Sequence, residues 1–227
     1  MAININDRRP IKTRDKSWAK KSTLWLKNKG VTPNQISLAS TGCALLSSLC
    51  FLFAFHFSSL IIRDGLLLLA AGLIQGRLVC NLLDGMVAVE GGLATPAGPV
   101  YNELPDRLSD TLIFVGVGYG LNAFPFAATL GWIAALLALM TAYLRLLGGT
   151  CGLPQRFTGP MAKQHRMALL FGCSLLALFL PTLYGQKLLL LCLVIISAGS
   201  VITCWRRGKR ILDELQQSAV IQDKADE

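Results

Sequence analysis

Carboxylate and carboxamide side chains recur at helical spacing in two apolar stretches of this sequence. Residues three or four apart lie on one face of a helix, so each set forms a polar stripe. Oxygen donors of this kind suit hard divalent cations such as Mg²⁺ and Mn²⁺. Ionisable groups within apolar segments are costly and usually mark function. The first stripe consists of Arg77, Asn81, Asp84 and Ala88, and the second of Asn102, Asp106 and Asp110, with Glu103 on the neighbouring edge of the same face.

A ten-residue link, 90–99, joins the two stripes. It contains three glycines and two prolines, residues that favour turns. A tight turn between two helices makes them antiparallel neighbours, so we expect the two stripes to face each other. The acidic and amide oxygens would then converge at one end of the two helices.

The composition places these stripes in a membrane protein. The chain has 227 residues, of which 53% are hydrophobic and 15% charged, whereas an ordinary soluble domain is about 45–50% apolar and about 25% charged. Disorder, a collagen-like chain and a disulfide-stapled module are excluded, and the seven cysteines are expected to be free. The net charge of +9 indicates contact with anionic lipid and no nucleic acid.

Apolar runs long enough to cross a bilayer predict an all-α integral membrane protein with six transmembrane helices. A basic stretch with two tryptophans, 17–29, precedes them and predicts an amphipathic helix on the membrane surface. The chain therefore divides into a basic leader over 1–31, a membrane domain over 32–206 and a polar tail over 207–227. The six predicted spans are 34–57, 65–89, 100–121, 126–147, 165–180 and 187–205.

The first predicted span has a clear start signal. Thr32 can act as the N-cap, Pro33 suits the first helical position, and Gln35 completes a capping box with Thr32. The preceding leader is too long for a cleaved signal sequence. The links after the first, third and fifth predicted spans carry a single basic residue between them, Arg63. The positive-inside rule therefore predicts that both termini and the polar stripes are cytoplasmic.

The spacing of the stripes resembles the CDP-alcohol phosphatidyltransferase family. Its signature is D-x2-D-G-x2-A-R-x8-G-x3-D-x3-D, and residues 81–106 have N-x2-D-G-x2-A-V-x8-G-x3-N-x3-D with every gap length kept. The family also has six membrane helices, a basic amphipathic leader and a Thr-Pro-Asn start to the first helix. The positions identical to the signature are Asp84, Gly85, Ala88, Gly98 and Asp106, and the departures are Asn81, Val89 and Asn102.

The resemblance implies a transferase that moves a phosphatidyl group from a CDP-diacylglycerol-type lipid to an acceptor alcohol and releases CMP. It implies a two-ion Mg²⁺ or Mn²⁺ site, with a one-ion site as the alternative. Asp106 would be the base that activates the acceptor hydroxyl, and a homodimer is an open alternative. The implied metal ligands are Asn81, Asp84, Asn102 and Asp106, and the implied nucleotide-binding residues are Gly85, Ala88, Gly98 and Asn34.

The two asparagines leave the site with two fewer negative charges than the family signature. Glu103 and Asp110 are therefore expected to compensate as further metal ligands. A second alignment takes Asp106 and Asp110 as the last acidic pair, with a longer link. The signature has an arginine where this chain has Val89, and Arg77 or Arg107 would supply that positive charge instead.

Basic residues around the link between the fourth and fifth predicted spans resemble the family's pocket for anionic acceptors. Arg145, Lys163 and Arg166 are the predicted acceptor-binding or phosphate-binding residues, because arginine suits bidentate and lysine point-charge contact with phosphate. Two other functions stay open: a relative that binds a CDP-lipid or a partner protein without turnover, and a small transporter. If the chain is bacterial, we expect it in the inner or plasma membrane.

Overall fold

The computed structural model describes residues 16–93, 95–154 and 158–223, with side chains described as far as Gln217. Seven helices and no strand occur in these ranges, so the all-helical prediction is confirmed for them. The first fifteen residues of the predicted leader lie outside the described part. The helices are α1 Ser17–Asn28, α2 Pro33–Ala54, α3 Leu60–Val89, α4 Gly98–Gly120, α5 Ala127–Thr150, α6 Lys163–Ala177 and α7 Thr182–Asp223.

The predicted start of α2 is confirmed in detail. The backbone N–H of Gln35 donates to the Thr32 hydroxyl at 3.3 Å, and the backbone N–H of Thr32 donates to Gln35 Oε1 at 2.9 Å. Pro33 occupies the first turn. These reciprocal bonds satisfy two N–H groups that the first turn of a helix otherwise leaves free.

The amphipathic segment forms α1, which packs on α3. Ala19 is fully buried with Leu82 and Met86 of α3, while Trp18 and Trp25 on α1 are exposed. The position of α1 on a membrane surface stays a prediction.

In the part of the chain that the structure describes, four helices are long and apolar enough to cross a membrane: α2, α3, α5 and residues 182–217 of α7. The chain is thus a membrane protein with several candidate spans, and the count of six stays a prediction. Two of the six predicted spans correspond to helices outside this set, α4 and α6, and each differs from the four in a physical property. The helix α4 carries four charged residues and an internal Pro105, and α6 has 15 residues, about 22 Å at 1.5 Å per residue.

The last helix is longer than its apolar pattern. The apolar pattern predicts a span over 187–205 followed by a polar tail, whereas α7 is helical from Thr182 to Asp223. Arg207 explains part of the extension, because its Nε donates to the carbonyl oxygen of Thr158 at 2.8 Å and its Nη1 donates to that of Thr141. These bonds attach the polar half of α7 to the bundle.

Small residues bring α4 against α2 and α5. A Cβ atom built on Gly120 would lie 2.1 Å from the carbonyl oxygen of Phe51, and one on Gly116 would lie 2.6 Å from that of Ser48. On the other side, a Cβ on Gly118 would lie 3.0 Å from the Cα of Gly131. Close backbone contact of this kind is the usual device for packing helices in membranes.

Candidate functional site

The site lies where the start of α2, the end of α3 and the starts of α4 and α6 meet. Its centre is the Asp106 carboxylate. Asn81 Nδ2 lies 2.9 Å from Asp106 Oδ1 and Lys163 Nζ lies 2.5 Å from the same oxygen. Arg77 Nη2 is 3.7 Å from it. The predicted approach of the two polar stripes is therefore confirmed, and α6 adds a cation that the spacing alone did not reveal.

Two serines of α2 hold the polar residues of α3 in place. The Ser37 hydroxyl donates to Asp84 Oδ2 at 2.7 Å, and the Ser40 hydroxyl donates to Asn81 Oδ1 at 2.8 Å. We did not predict either serine as a site residue. A signal was present, because Asn34, Ser37 and Ser40 recur every three residues and so share one face of the helix.

These contacts fix how Asn81 is oriented. Its carbonyl oxygen accepts from Ser40, and its amide nitrogen donates to Asp106. A reversed amide would place an oxygen against the Asp106 carboxylate, where neither atom can donate. The oxygen of Asn81 is thus directed toward α2 and its nitrogen toward α4.

Asp110 lies one turn further along α4, within a buried ion cluster. Its Oδ1 is 2.6 Å from Arg77 Nη2 and its Oδ2 is 2.7 Å from Arg166 Nη2. The exposed fractions of Arg77, Asp110 and Arg166 are 0%, 2% and 1%. The three residues join α3, α4 and α6, and both carboxylate oxygens of Asp110 are occupied by arginine.

Glu103 lies nearer the start of α4 and also contacts arginines. Arg145 Nη2 on α5 is 2.6 Å from its Oε1, and Arg107 donates to its Oε2 from the next turn. The sequence predicted Glu103 and Asp110 as additional metal ligands. The structure instead places each against two guanidinium groups, which compete with a metal ion for the same oxygens.

The three predicted phosphate-binding residues also have carboxylate partners. Arg145 pairs with Glu103, Lys163 with Asp106 and Arg166 with Asp110. Arg166 additionally donates to the carbonyl oxygen of Met161 at 2.8 Å and lies inside the bundle. Each of these basic side chains therefore pairs with a carboxylate that is distant in the sequence. Their positions along the chain did not predict these ion pairs.

The remaining predicted residues lie around this centre. Asn102 is exposed, and Asn34, Ala88 and Gly98 are partly buried. An added Cβ on Gly85 would meet no atom within 4 Å, and one on Gly98 would meet only Thr95 Oγ1 at 3.8 Å. A Cβ atom would therefore meet little at either glycine.

Few acidic side chains remain as donors for a divalent ion. Within the described ranges, no group of three or more His, Cys, Asp or Glu residues is arranged to hold a metal. Asp84 and Asp106 remain as acidic donors, but Asp106 Oδ1 already accepts from Asn81 and Lys163. Among the residues that the structure describes, the Asp84 carboxylate accepts from the Ser37 hydroxyl and the Gly85 backbone N–H and from no basic side chain.

Comparison with known proteins gives the fold. No family model matches this chain. The "Inner membrane protein YnbA" of Escherichia coli (strain K12) is 29% identical over 217 residues, which cover 93% of this chain and 98% of that protein.

Solved structures of the phosphatidylinositol phosphate synthase of Mycobacterium tuberculosis share the architecture. The structure with CDP-DAG bound has a TM-score of 0.69 at 20% identity and covers 85% of this chain and 92% of that one. The complex with manganese and citrate has a TM-score of 0.70 at 20% identity and covers 86% and 88%. The apo form has a TM-score of 0.68 at 19% identity and covers 85% and 95%. The chain therefore has the membrane-embedded helical fold of that synthase.

Proposed function

We propose that this chain is a CDP-alcohol phosphatidyltransferase. It would transfer a phosphatidyl group from a CDP-linked lipid to an acceptor alcohol and release CMP. The observation that carries the proposal is the position of Asp106, which the family resemblance implies as the base and which contacts Asn81 across the two helices. The shared fold with a synthase whose structure contains CDP-DAG supports the same reaction class.

In the proposed reaction, the acceptor hydroxyl oxygen attacks the β-phosphorus of the donor. The bond from that phosphorus to the oxygen shared with the CMP phosphate breaks, and CMP leaves with the bond electrons. Asp106 takes the hydroxyl proton. Its Oδ2 has no hydrogen-bond partner in the part of the chain that the structure describes, whereas Oδ1 is held by Asn81 and Lys163, so one oxygen is available as a base.

The other predicted residues have binding roles in this proposal. Gly85, Ala88, Gly98 and Asn34 would contact the nucleotide, and the open space above Gly85 supports close approach of a ligand to the backbone. Arg145 and Lys163 would contact an acidic acceptor. A divalent ion, when bound by Asp84 and Asp106 with help from Asn102, would neutralise negative charge on the diphosphate.

The proposed setting is a bacterial inner membrane, with the site facing the cytoplasm. The similarity to YnbA, which is described as an inner membrane protein, supports this choice of membrane. The distribution of basic residues in the links supports the orientation. A donor whose acyl chains remain in the bilayer can then present its nucleotide to water at this end of the bundle.

The test is CMP release from CDP-diacylglycerol by the purified full chain, with Mg²⁺ or Mn²⁺ and a panel of alcohols. We expect metal-dependent release with at least one acceptor and none from Asp106→Asn. The matched control Asp213→Asn removes one carboxylate from an exposed position on α7 and should release CMP at the wild-type rate. No metal-dependent release with any alcohol would contradict the proposal.

A second candidate is a relative that binds a CDP-lipid without turnover. It is favoured by one observation, the direct ion pair between Lys163 and the proposed base, because the ammonium occupies one oxygen of that carboxylate. Binding of CDP-diacylglycerol without CMP release in the same assay would select this candidate.

A further inference from the structure

Lys163 is placed as a counter-cation of the site. It is the first residue of α6, and its ammonium lies 2.5 Å from Asp106 Oδ1. The exposed fractions of the Lys163 and Asp106 side chains are 15% and 16%. An ion pair that is largely removed from water is screened less than a surface pair, so the charge of Lys163 acts strongly on the Asp106 carboxylate.

The same oxygen of Asp106 is approached by other positive groups. Asn81 Nδ2 donates to it at 2.9 Å, and Arg77 Nη2 lies 3.7 Å away. A divalent ion that coordinates this oxygen must therefore displace the ammonium and approach against the charge of Arg77.

Asp84 differs from the other acidic residues near it. Glu103, Asp106 and Asp110 each form an ion pair with at least one basic side chain. Among the residues that the structure describes, no basic group lies within ion-pair distance of the Asp84 carboxylate, which accepts from Ser37 and from the Gly85 backbone instead. Of these four carboxylates, Asp84 is thus the one that an external cation could contact without displacing a basic side chain.

We propose that Lys163 supplies a built-in positive charge at Asp106 in place of a second metal ion. The chain then binds at most one divalent ion with useful affinity, on the Asp84 side of the site, and Lys163 competes with that ion for Asp106. The inference deepens the proposed function and rests on it, because an ammonium group beside the reacting diphosphate would serve the same electrostatic purpose as an ion.

The first test is Mn²⁺ binding to the purified full chain in detergent, followed through the electron paramagnetic resonance signal of free Mn²⁺. Wild type should bind no more than one ion per chain. Lys163→Met should bind Mn²⁺ at least about tenfold more tightly, because a nearby like charge has been removed. Lys163→Arg keeps the charge and should stay within about twofold of wild type. Unchanged or weaker binding by Lys163→Met would overturn the proposal.

The matched control is Lys187→Met. Lys187 lies on α7, where its ammonium is 5.2 Å from the centre of the Tyr184 ring, and its removal changes the net charge by the same amount. Mn²⁺ affinity should remain at the wild-type value. An equal gain in Lys187→Met would mean that overall charge, and not the contact with Asp106, governs ion binding, and this too would overturn the proposal.

A measurement on the wild-type chain guards against misfolding of the variants. An amine-reactive reagent should label Lys163 several-fold more in saturating Mn²⁺ than in EDTA, because the ion releases the ammonium from Asp106. Labelling of Lys187, measured by mass spectrometry in the same digest, should not change. Equal or lower labelling of Lys163 in Mn²⁺ would contradict the competition.

These readouts need no turnover, so the two proposals fail separately. Tighter Mn²⁺ binding by Lys163→Met with no CMP release from wild type would overturn the proposed reaction and leave the role of Lys163 as cation standing. Metal-dependent CMP release from wild type with no change in Mn²⁺ binding by Lys163→Met would overturn the role of Lys163 alone.

Discussion

Asn81 on α3 donates a hydrogen bond of 2.9 Å to Asp106 on α4. The bond joins the two polar stripes with a neutral donor, where an aspartate at position 81 would place two carboxylates face to face. The Asn81 amide is in turn oriented by Ser40. Asn81 therefore contacts Asp106 without adding a second negative charge beside it, and this gives the substitution of Asn for Asp a structural explanation.

Asn81→Asp should make the stability of the chain dependent on metal. The new carboxylate loses the hydrogen bond to Asp106 and adds a second negative charge beside the carboxylate that Lys163 contacts, which costs about 1–3 kcal/mol when no divalent ion is bound. In EDTA the thermal unfolding midpoint should fall below that of wild type. Added Mn²⁺ should raise the midpoint of the variant by more than it raises that of wild type.

Asn122→Asp is the control for this prediction. Asn122 donates to the carbonyl oxygen of Phe55 at 2.8 Å at the other end of the bundle, so its substitution also removes a hydrogen bond. The loss of stability in Asn122→Asp should be the same with and without Mn²⁺. If Asn81→Asp also responds to Mn²⁺ no more than wild type does, the two helices do not present these side chains to a common ion.

Asp110→Asn should destabilise the fold more than it affects ion binding. The change leaves Arg77 and Arg166 buried without their counter-charge, and such a loss typically costs about 3–5 kcal/mol. Glu214→Gln removes a carboxylate from its pair with Arg210, whose side chain is 46% accessible, and should cost no more than about 1 kcal/mol. Denaturant unfolding in detergent compares the two variants.

The same variant tests the alternative alignment in which Asp110 is the last metal ligand. We expect Mn²⁺ affinity of folded Asp110→Asn within a few-fold of wild type. A stability close to that of wild type, together with loss of Mn²⁺ binding, would support Asp110 as a ligand and contradict the ion cluster with Arg77 and Arg166.

Gly120→Ala should loosen the contact between α4 and α2. The added Cβ would lie 2.1 Å from the carbonyl oxygen of Phe51, and overpacking of this kind costs about 1–3 kcal/mol. Gly72→Ala is the matched control, because a Cβ there meets no atom within 4 Å and alanine favours a helix by up to about 1 kcal/mol. The thermal midpoints should move in opposite directions. A stable Gly120→Ala would mean that the two backbones are not in close contact.

Local signals in the sequence predicted much of this fold. The capping box at Thr32 and Gln35 depends only on neighbouring residues, and both of its hydrogen bonds are present. The spacing of the stripes predicted that Asn81 and Asp106 would approach each other, because a short link leaves two helices few alternatives. Helix α7 differs because its polar half forms a helix that contacts Thr141 through Arg207, and an apolar pattern cannot report such a contact.

Local signals in the sequence could not predict which charged residues would form ion pairs with each other. Lys163 is 57 residues from Asp106, and Arg166 is 56 residues from Asp110. A basic residue near the end of a predicted span has the same composition signal whether it marks topology, binds phosphate or pairs with a buried acid. Only the packing of α6 beside α3 and α4 distinguishes these roles.

The most direct test of the proposed transfer is mass spectrometry of lipids from cells that express the full chain. Wild type should produce a phospholipid that is missing from cells expressing equal amounts of folded Asp106→Asn, and Asp213→Asn should produce as much of that lipid as wild type. The same lipid at wild-type abundance in Asp106→Asn cells, or no new lipid from wild type in cells that supply CDP-diacylglycerol and a range of alcohols, would contradict phosphatidyl transfer at this site.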